Sequence, residues 1–314
     1  MTRIFLNICA FALAGNITVH SQCCSAGNPN GGDATQNGLA KKELLINLFY
    51  RYSLSEEYFH IETRQDNPLN ERSYYDFSNL SVIYGISDKW SVYSEMGYFF
   101  DKAKTFSFLS NDYKVQASGF GDALFSMRYK VLQTVKPASQ LIFSGGIKVP
   151  VGAFNDKIDG VTIPVSLQPS SGAFKFNAGL YYIRMRPDKK LGWFSFILYE
   201  KSNTIQKDFL THKYGDYCQF TVAGNYNFFK NFSAIAMLKS EWRAKDIRDF
   251  DVKIESSGSR VLYFCPQLQH SFSNWKVYAL YEIPVYKYMN GTQLANKFAI
   301  QFGVSKKFSL QGDK

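Results

Sequence analysis

The sequence predicts an all-β protein, a single transmembrane antiparallel β-barrel of about 12 strands that follows an N-terminal signal peptide. Two observations lead to this prediction. Apolar and polar residues alternate at period two along most of the chain after residue 43, as in strands with one apolar and one polar face. The connections between these runs are mostly long and short in turn, which is typical of outer-membrane barrels with tight turns at one rim and long loops at the other.

The composition excludes several other classes of protein. The 314 residues include 28 Phe, 21 Tyr and 4 Trp, so that 17% of the chain is aromatic and only 20% is charged. Disordered chains are poor in aromatic residues. Beyond the first fifteen residues, no apolar run approaches the ~18 residues that a membrane-spanning helix needs. Five cysteines in a chain of this length do not indicate a disulfide framework.

The N-terminus has the features of a secretory signal over residues 1–21. A basic residue and a short apolar stretch are followed by a polar end, in which Val19 and Ser21 fit the small residues needed before a cleavage site. Cys23 and Cys24 leave a lipoprotein signal open, although the residues before them fit a lipobox poorly. The two thiols are also weak candidates for binding a soft metal ion. No firm metal site and no cofactor is predicted.

The rest of the chain divides into three parts. Residues 22–42 are a Gly- and Asn-rich leader, expected to be a flexible periplasmic tail or a partial plug. Residues 43–308 form the transmembrane barrel, and residues 309–314 form a tail. The predicted strands are Leu44–Ser53, Tyr75–Ile86, Trp90–Phe100, Gly119–Leu132, Ser139–Pro150, Ala173–Arg184, Gly192–Lys201, Tyr214–Phe228, Phe232–Arg243, Arg260–Phe272, Trp275–Tyr286 and Lys297–Phe308.

The predicted connections and the chain end favour a membrane barrel over a soluble β-sandwich. The strands of a soluble β-sandwich also alternate apolar and polar residues, but its loops do not alternate between long and short. The segment Gln301–Phe308 resembles the terminal-strand signal that the barrel assembly machinery reads, although Lys306 departs from the usual apolar choice. We therefore expect export to the outer membrane of a Gram-negative envelope, with outer-membrane lipid and the assembly machinery as partners. The longer predicted connections are residues 54–74, 101–118, 151–172, 202–213, 244–259 and 287–296.

Several motifs resemble those of a known family. Gly119–Asp122 is similar to a Gly-x-Gly-Asp strand, Gly145–Gly152 to a strand end with paired glycines, Lys and Pro, and Leu167–Gly172 to an LQPGSG segment in which Ser170 replaces Gly. The turn Ile86–Val92 is also similar to a turn motif of the same family. Together these motifs resemble the outer-membrane barrel family named for the meta-pathway of phenol degradation, and the leader resembles that of Bacteroidetes members. The resemblance implies a barrel with a transport role and supplies no substrate.

The polar face of the predicted strands supplies candidate lumen residues. Seven basic against four acidic side chains suggest a lumen that mildly favours anions, by the logic of charged rings in pores. A barrel of twelve strands lies between small barrels filled by side chains and wide open ones, so an open pore and a plugged barrel both stay open. The candidates are Glu95, Asp122, Arg128, Lys130, Lys148, Lys175, Lys239, Glu241, Arg243, Lys276 and Glu282.

We therefore expect an outer-membrane channel or transporter for a small hydrophobic or anionic solute. The alternative is a non-conducting structural or binding barrel that acts through its long loops or its paired cysteines. An enzyme is not expected, because His270 and Ser271 lack a recognisable orienting carboxylate. Nucleic-acid binding is not expected either, because the aromatic residues follow a strand period and not a basic groove.

Overall fold

The computed structural model of the protein describes residues 38–108, 111–135, 138–154, 156–158, 160–207 and 210–310. The all-β prediction is confirmed, since these ranges form strands and one 3-10 turn, Val165–Leu167. No helix in them is long and apolar enough to cross a membrane. The strands are β1 (Glu43–Ile61), β2 (Thr63–Gln65), β3 (Arg72–Gly85), β4 (Trp90–Phe108), β5 (Asn111–Val135), β6 (Ala138–Val149), β7 (Lys157–Ile158), β8 (Val161–Thr162), β9 (Lys175–Met185), β10 (Leu191–Ser202), β11 (Ile205–Lys207), β12 (Leu210–Lys213), β13 (Tyr217–Phe229), β14 (Phe232–Arg243), β15 (Ile247–Arg248), β16 (Val252–Lys253), β17 (Ser259–Phe272) and β18 (Trp275–Ser309).

One antiparallel sheet closes into a barrel. Its strands follow the order β1, β3, β4, β5, β6, β9, β10, β13, β14, β17 and β18, and the pairing of β18 with β1 closes it, while β2 adds a short extra strand. β18 crosses the wall twice, because residues 275–289 run antiparallel to β17 and residues 289–309 run antiparallel to β1. The other ten wall strands cross once each, so the wall has twelve crossings.

Short turns and long connections lie at opposite rims of the barrel. The turns after β3, β5, β9, β13 and β17 lie at the rim where β1 begins and β18 ends. We call this the turn rim, and in outer-membrane barrels it faces the periplasm. The opposite loop rim carries the connections 62–71, 150–174, 203–216 and 244–258. The predicted separation of short and long connections is therefore present.

Two of the predicted loops are wrong. β4 and β5 extend through most of the predicted loop 101–118, and β18 runs through the predicted loop 287–296. At the tip of the β4–β5 hairpin both faces of the strand meet water, so polar residues occupy both faces while the backbone pairing continues. Residues 111–114 show this, because all four are exposed. The period-two pattern therefore ends before the strand does.

Apolar side chains face outward and polar ones face the lumen. On β13, Gln219 and Thr221 are buried, whereas Phe220 and Val222 alternate with them on the outer surface. This arrangement suits a sheet whose outer face contacts lipid. Large exposed aromatic side chains also mark both ends of the wall, as at membrane interfaces. Near the turn rim they include Trp90, Trp193, Phe229, Phe272 and Trp275, and near the loop rim Phe100, Trp242 and Tyr286.

Aromatic rings fill part of the interior. Phe49, Phe77, Phe99 and Tyr278 form a buried cluster, in which the ring centroids of Phe77 and Phe99 are 4.6 Å apart. A glycine makes room for the last of these rings: a Cβ on Gly303 would lie 2.2 Å from Tyr278 Cζ. Aromatic packing against the inner wall therefore narrows this side of the lumen.

A small sheet of β11, β12, β15 and β16 stands at the loop rim. Asp246 ties it to the barrel, because its carboxylate accepts a hydrogen bond from the Gly215 N–H at 2.8 Å and lies 3.5 Å from His212 Nε2. Burial raises the pKa of Asp246, but the contacts with His212 and Gly215 outweigh burial and hold this pKa below its usual value of 3.8. The ionised carboxylate of Asp246 therefore stabilises the fold at pH values above 3.8. This stabilisation is lost as the pH falls through the lower pKa that Asp246 has in the folded protein.

The close approach of Tyr278 to Gly303 predicts that Gly303→Ala lowers the free energy of unfolding by about 1–3 kcal/mol, since overpacking displaces neighbouring groups. Urea unfolding of the barrel reconstituted in lipid vesicles measures the change. Gly224→Ala is the matched control, because a Cβ there meets no atom within 4 Å. Equal stability of the two variants would contradict the packing of the ring on the backbone.

Candidate functional site in the barrel lumen

A buried ion-pair cluster joins three strands inside the barrel. Arg51 on β1 makes a bidentate pair with Glu282 on β18, with Nη1–Oε1 and Nη2–Oε2 distances of 2.9 and 2.6 Å. Lys239 on β14 donates to both oxygens of the same carboxylate at 3.0 Å and lies 2.9 Å from Glu241. Arg51, Lys239 and Glu282 are each less than a tenth exposed. We call these four residues the first cluster.

A second cluster lies on the wall formed by β6, β9 and β10. Lys148 Nζ is 2.8 Å from one oxygen of Glu200, and Lys175 Nζ is 3.6 Å from the other. All three side chains are buried. Glu95 on β4 accepts hydrogen bonds from Tyr93 and, at 3.5 Å, from Asn79 Nδ2. Removing one partner from such a buried pair leaves an uncompensated charge and is strongly destabilising.

Both clusters line one cavity of about 150 Å³. Glu95, Lys148 and Glu200 contribute to its wall from one side, and Lys239 and Glu282 from the other. The remaining lining combines apolar side chains with polar ones such as Asn177, Gln219 and Thr221. The cavity is therefore lined by both charged and apolar side chains. Its apolar side chains include Leu124, Ile183, Phe194, Phe196, Met237 and Leu280.

Arg128 contributes to the same chamber and is held by aromatic rings. Its guanidinium carbon lies 4.2 Å from the ring centroid of Tyr93 and 5.3 Å from that of Tyr181. A guanidinium over an aromatic face is attracted by the ring quadrupole, and more strongly where water is excluded. The side chain is only 6% exposed, and both rings pack against its guanidinium group.

Asp122 anchors the connection 150–174 inside the barrel mouth. Its carboxylate accepts hydrogen bonds from Ser170 Oγ at 2.7 Å, from the Ser171 N–H at 2.9 Å and from Ser171 Oγ at 2.5 Å. Both serines are 0% exposed. The Gly-x-Gly-Asp motif and the LQPSSG segment, which are far apart in the sequence, therefore meet at one contact. We call residues 160–174 the inserted loop.

Further contacts hold the inserted loop in place. Lys102 Nζ donates to the Gln168 carbonyl at 2.9 Å, and Tyr214 Oη donates to the Ser171 carbonyl at 2.9 Å. The backbone also comes close at Gly152, where a Cβ would lie 1.6 Å from the Phe120 carbonyl oxygen. Glycine is therefore required where the connection leaves β6. Further along, Leu167, Gln168 and Ser170 are each at most 1% exposed, so this part of the inserted loop is buried at the loop rim.

The described end of the leader enters the lumen at the turn rim. Leu39 is 5% exposed and packs in a cluster with Ile83 and Tyr93. The Gly38 N–H donates to Gln140 Oε1 at 3.0 Å. Residues 38–42 thus narrow the turn-rim mouth. The predicted signal peptide 1–21 and most of the leader lie outside the described residues.

The predicted lumen residues have different positions in the structure. Asp122, Arg128, Lys130, Lys148, Lys175, Lys239 and Glu282 are buried, and Glu95, Glu241, Arg243 and Lys276 are half-buried. Lys239, Glu241 and Glu282 come together in the first cluster, and Lys148 and Lys175 in the second. Asp122 holds the inserted loop through Ser170 and Ser171. Lys130 and Lys276 lie towards the turn rim.

Sequence reasoning missed Arg51 and Glu200, which complete the two clusters. Glu200 was missed because β10 is apolar on both faces, so its orientation could not be read from the pattern. Arg51 lies opposite the apolar face of β1, so the sequence contained the signal for it.

Three other residues were considered from the sequence, namely Cys23, Cys24 and His270. Cys23 and Cys24, the weak metal candidates, lie outside the described residues. Within the described ranges, no group of three or more His, Cys, Asp or Glu side chains could hold a metal ion. The His270 ring lies beside Phe232, with centroids 4.2 Å apart, and stacks on Phe272.

Comparison with known proteins supports the fold. No family model and no curated protein sequence matches the chain. Among solved structures, an outer membrane channel from Pseudomonas putida F1 superposes with a TM-score of 0.70 at 12% sequence identity, covering 90% of this chain and 100% of that one. At this identity the likeness shows the fold alone. The chain therefore has an outer-membrane barrel fold, which agrees with the predicted outer-membrane location.

Two further structures have lower scores. The NanC porin gives a TM-score of 0.46 at 12% identity, covering 84% of this chain and 100% of that one. A deltaS2 mutant of the TodX monoaromatic hydrocarbon channel gives 0.48 at 9% identity, covering 87% of this chain and 91% of that one. The motif resemblance to the meta-pathway family, and to its Bacteroidetes members, stays a prediction.

The first cluster predicts that Glu282→Gln destabilises the barrel, because Arg51 and Lys239 lose their shared buried counter-charge. We expect a loss of about 3 kcal/mol in the free energy of unfolding. Urea unfolding in lipid vesicles measures it. Asp188→Asn is the control, since this exposed carboxylate at the turn rim lies 3.6 Å from Arg186 and should contribute less than about 1 kcal/mol. Similar losses in both variants would refute the role of the cluster.

The Asp122 contact predicts that Asp122→Ala releases the inserted loop. Three hydrogen-bond donors lose their acceptor, so we expect the backbone amides of residues 168–173 to exchange hydrogen about 10-fold faster. Hydrogen exchange followed by mass spectrometry measures this rate. Asp112→Ala is the control, because Asp112 accepts a hydrogen bond from Ser107 Oγ at an exposed hairpin. Unchanged exchange in Asp122→Ala would mean that other contacts hold the loop.

Proposed function

We propose that the protein is an outer-membrane channel that passes a small hydrophobic or anionic solute through its lumen. The cavity of about 150 Å³ between the two ion-pair clusters is the observation that carries this proposal. It lies within a closed barrel, and several wall strands contribute to its lining. A space of this kind within a membrane-spanning wall is suited to admit a solute between the two rims.

The size of the cavity limits the solute. A dry cavity of about 150 Å³ holds a molecule as small as benzene, whereas sites for drug-sized ligands are roughly 300–1,000 Å³. Larger solutes would require the inserted loop or the ion-pair clusters to move. The volume of the cavity therefore supports selection by size.

The lining favours a hydrophobic solute over a strongly charged one. Phe194, Met237 and Leu280 present apolar surface to the cavity. The cations of the two clusters are already paired with Glu200 and Glu282, so they attract a free anion less than unpaired rings would. An aromatic or aliphatic solute with at most one negative charge fits this combination of surfaces.

The cavity predicts that Met237→Ala increases the permeation of small solutes. Truncating this buried side chain widens the chamber without changing its charge, so we expect the rate to rise about threefold or more. Swelling of vesicles that contain the reconstituted barrel measures permeation for solutes of graded size. Met127→Ala is the matched control, because Met127 is 51% exposed on the outer face and Met237 is 5% exposed. Equal rates in the two variants would contradict passage through the chamber.

The packed interior favours one alternative, a non-conducting barrel that acts through its loops. The aromatic cluster around Phe77 and the anchored loop at Asp122 both fill the lumen. Single-channel recordings in planar bilayers separate the two functions. We expect brief, low-conductance openings from the wild-type barrel. Conductance at the lipid background in the wild type and in Asp122→Ala, together with no vesicle swelling, would support the non-conducting barrel.

A further inference from the structure

A basic cleft lies at the loop rim, away from the lumen cavity. Its volume is about 430 Å³, and it lies between the upper ends of β13, β14 and β17 and the small sheet. Five of its lining residues are basic, and Asp216 is the one carboxylate that lines it in the described part of the chain. The basic residues are Lys213, Arg243, Lys245, Lys253 and Arg260.

The strand register places two of these lysines on one face of the small sheet. Lys213 on β12 pairs with Ile247 on β15, and Ile247 pairs with Lys253 on β16. Residues directly opposite each other across strands present their side chains to the same face. The two lysines are separated by two strand spacings, about 10 Å between their Cα atoms. Their long side chains can therefore reach a common anion.

The opposite wall of the cleft belongs to the outer surface of the barrel. Trp242 on β14 pairs directly with Arg260 on β17, and both side chains are exposed on the outward face. The Arg260 guanidinium carbon lies 5.5 Å from the centroid of the Tyr288 ring. Trp and Tyr are enriched at the level of lipid headgroups. The cleft therefore borders the outer leaflet of the membrane.

Some of the basic residues of the cleft have an acidic partner, and others have none in the described ranges. Lys245 pairs with Glu255, and Asp216 accepts a hydrogen bond from Tyr199. Lys213, Lys253 and Arg260 make no ion pair with any carboxylate of the described ranges. Three uncompensated cations around one cleft attract an anion, and Arg and Lys are the side chains that bind phosphate.

We propose that this cleft binds the phosphate groups of an outer-leaflet glycolipid of the lipid A type. A lipid fits better than a free phosphate because apolar surface continues directly below the cleft. On the same strands, Phe220, Leu238 and Phe264 are exposed on the outer face, where acyl chains would lie. The phosphate binds the three cations, and the acyl chains cover the apolar wall.

The test uses the full-length barrel purified in a non-ionic detergent and mixed with bisphosphorylated lipid A. Native mass spectrometry measures the fraction of barrels with bound lipid. The cleft variant is Lys213→Gln, Lys253→Gln, Arg260→Gln. Each cation near an anionic headgroup contributes about a factor of five in affinity, so we expect roughly 100-fold weaker binding. Dephosphorylated lipid A should bind the wild-type barrel as weakly as bisphosphorylated lipid A binds the cleft variant.

The control variant removes the same number of charges at the turn rim, through Lys89→Gln, Lys190→Gln and Lys230→Gln. All three side chains are exposed, and we expect binding within about twofold of wild type. Heat-modifiable migration in detergent gels shows that both variants are folded. The proposal would be overturned if the cleft variant bound lipid A as tightly as the wild type does. It would also be overturned if the control variant lost as much affinity for lipid A as the cleft variant. Displacement of the lipid by millimolar inorganic phosphate would also overturn it, because the site would then take a soluble anion.

Discussion

Closure of the sheet between β1 and β18 is the constraint on which the rest of the structure depends. In lipid each backbone donor and acceptor must be paired, so an open sheet edge is excluded. The register of this seam fixes which residues face the lumen, since a slip by one residue would invert both faces. Arg51 lies opposite Gln301 in this register, and both side chains are buried in the interior. The first cluster exists only because the seam closes there.

The sequence predicts the wall of the barrel well and its upper extensions poorly. Within the membrane one face meets lipid and the other meets the lumen, so a period-two pattern is obligatory. Phe232–Arg243 was predicted with the bounds that the structure has. Above the membrane this constraint disappears, and the pattern carries no signal although the backbone still pairs. The tip of the β4–β5 hairpin was therefore read as a loop. The middle of β18 was read as a loop for another reason, because Gln293, Leu294 and Ala295 are consecutive buried residues and break the alternation.

The lumen site was partly predictable because the sequence shows the face of a residue and not its partner. The inward orientation of Lys148 follows from its own strand, but its pairing with Glu200 depends on barrel geometry across an intervening strand. The same holds for Asp122 and Ser171, which are 49 residues apart. The motifs indicated that these segments matter, while only the fold shows that one anchors the other.

The distribution of the +10 charge separates two properties of the barrel. Inside, cations meet carboxylates: Lys239 lies between Glu241 and Glu282, so the lumen contributes little net charge at that level. Other basic residues are exposed at the turn rim, among them Lys89, Lys190 and Lys230. Charge at a rim acts on lipid headgroups and on approaching ions, whereas passage through the lumen depends on volume and apolar lining. Arg51 and Glu200, the two lumen residues that the sequence pattern missed, carry opposite charges, so adding them leaves the predicted excess of inward-facing cations unchanged.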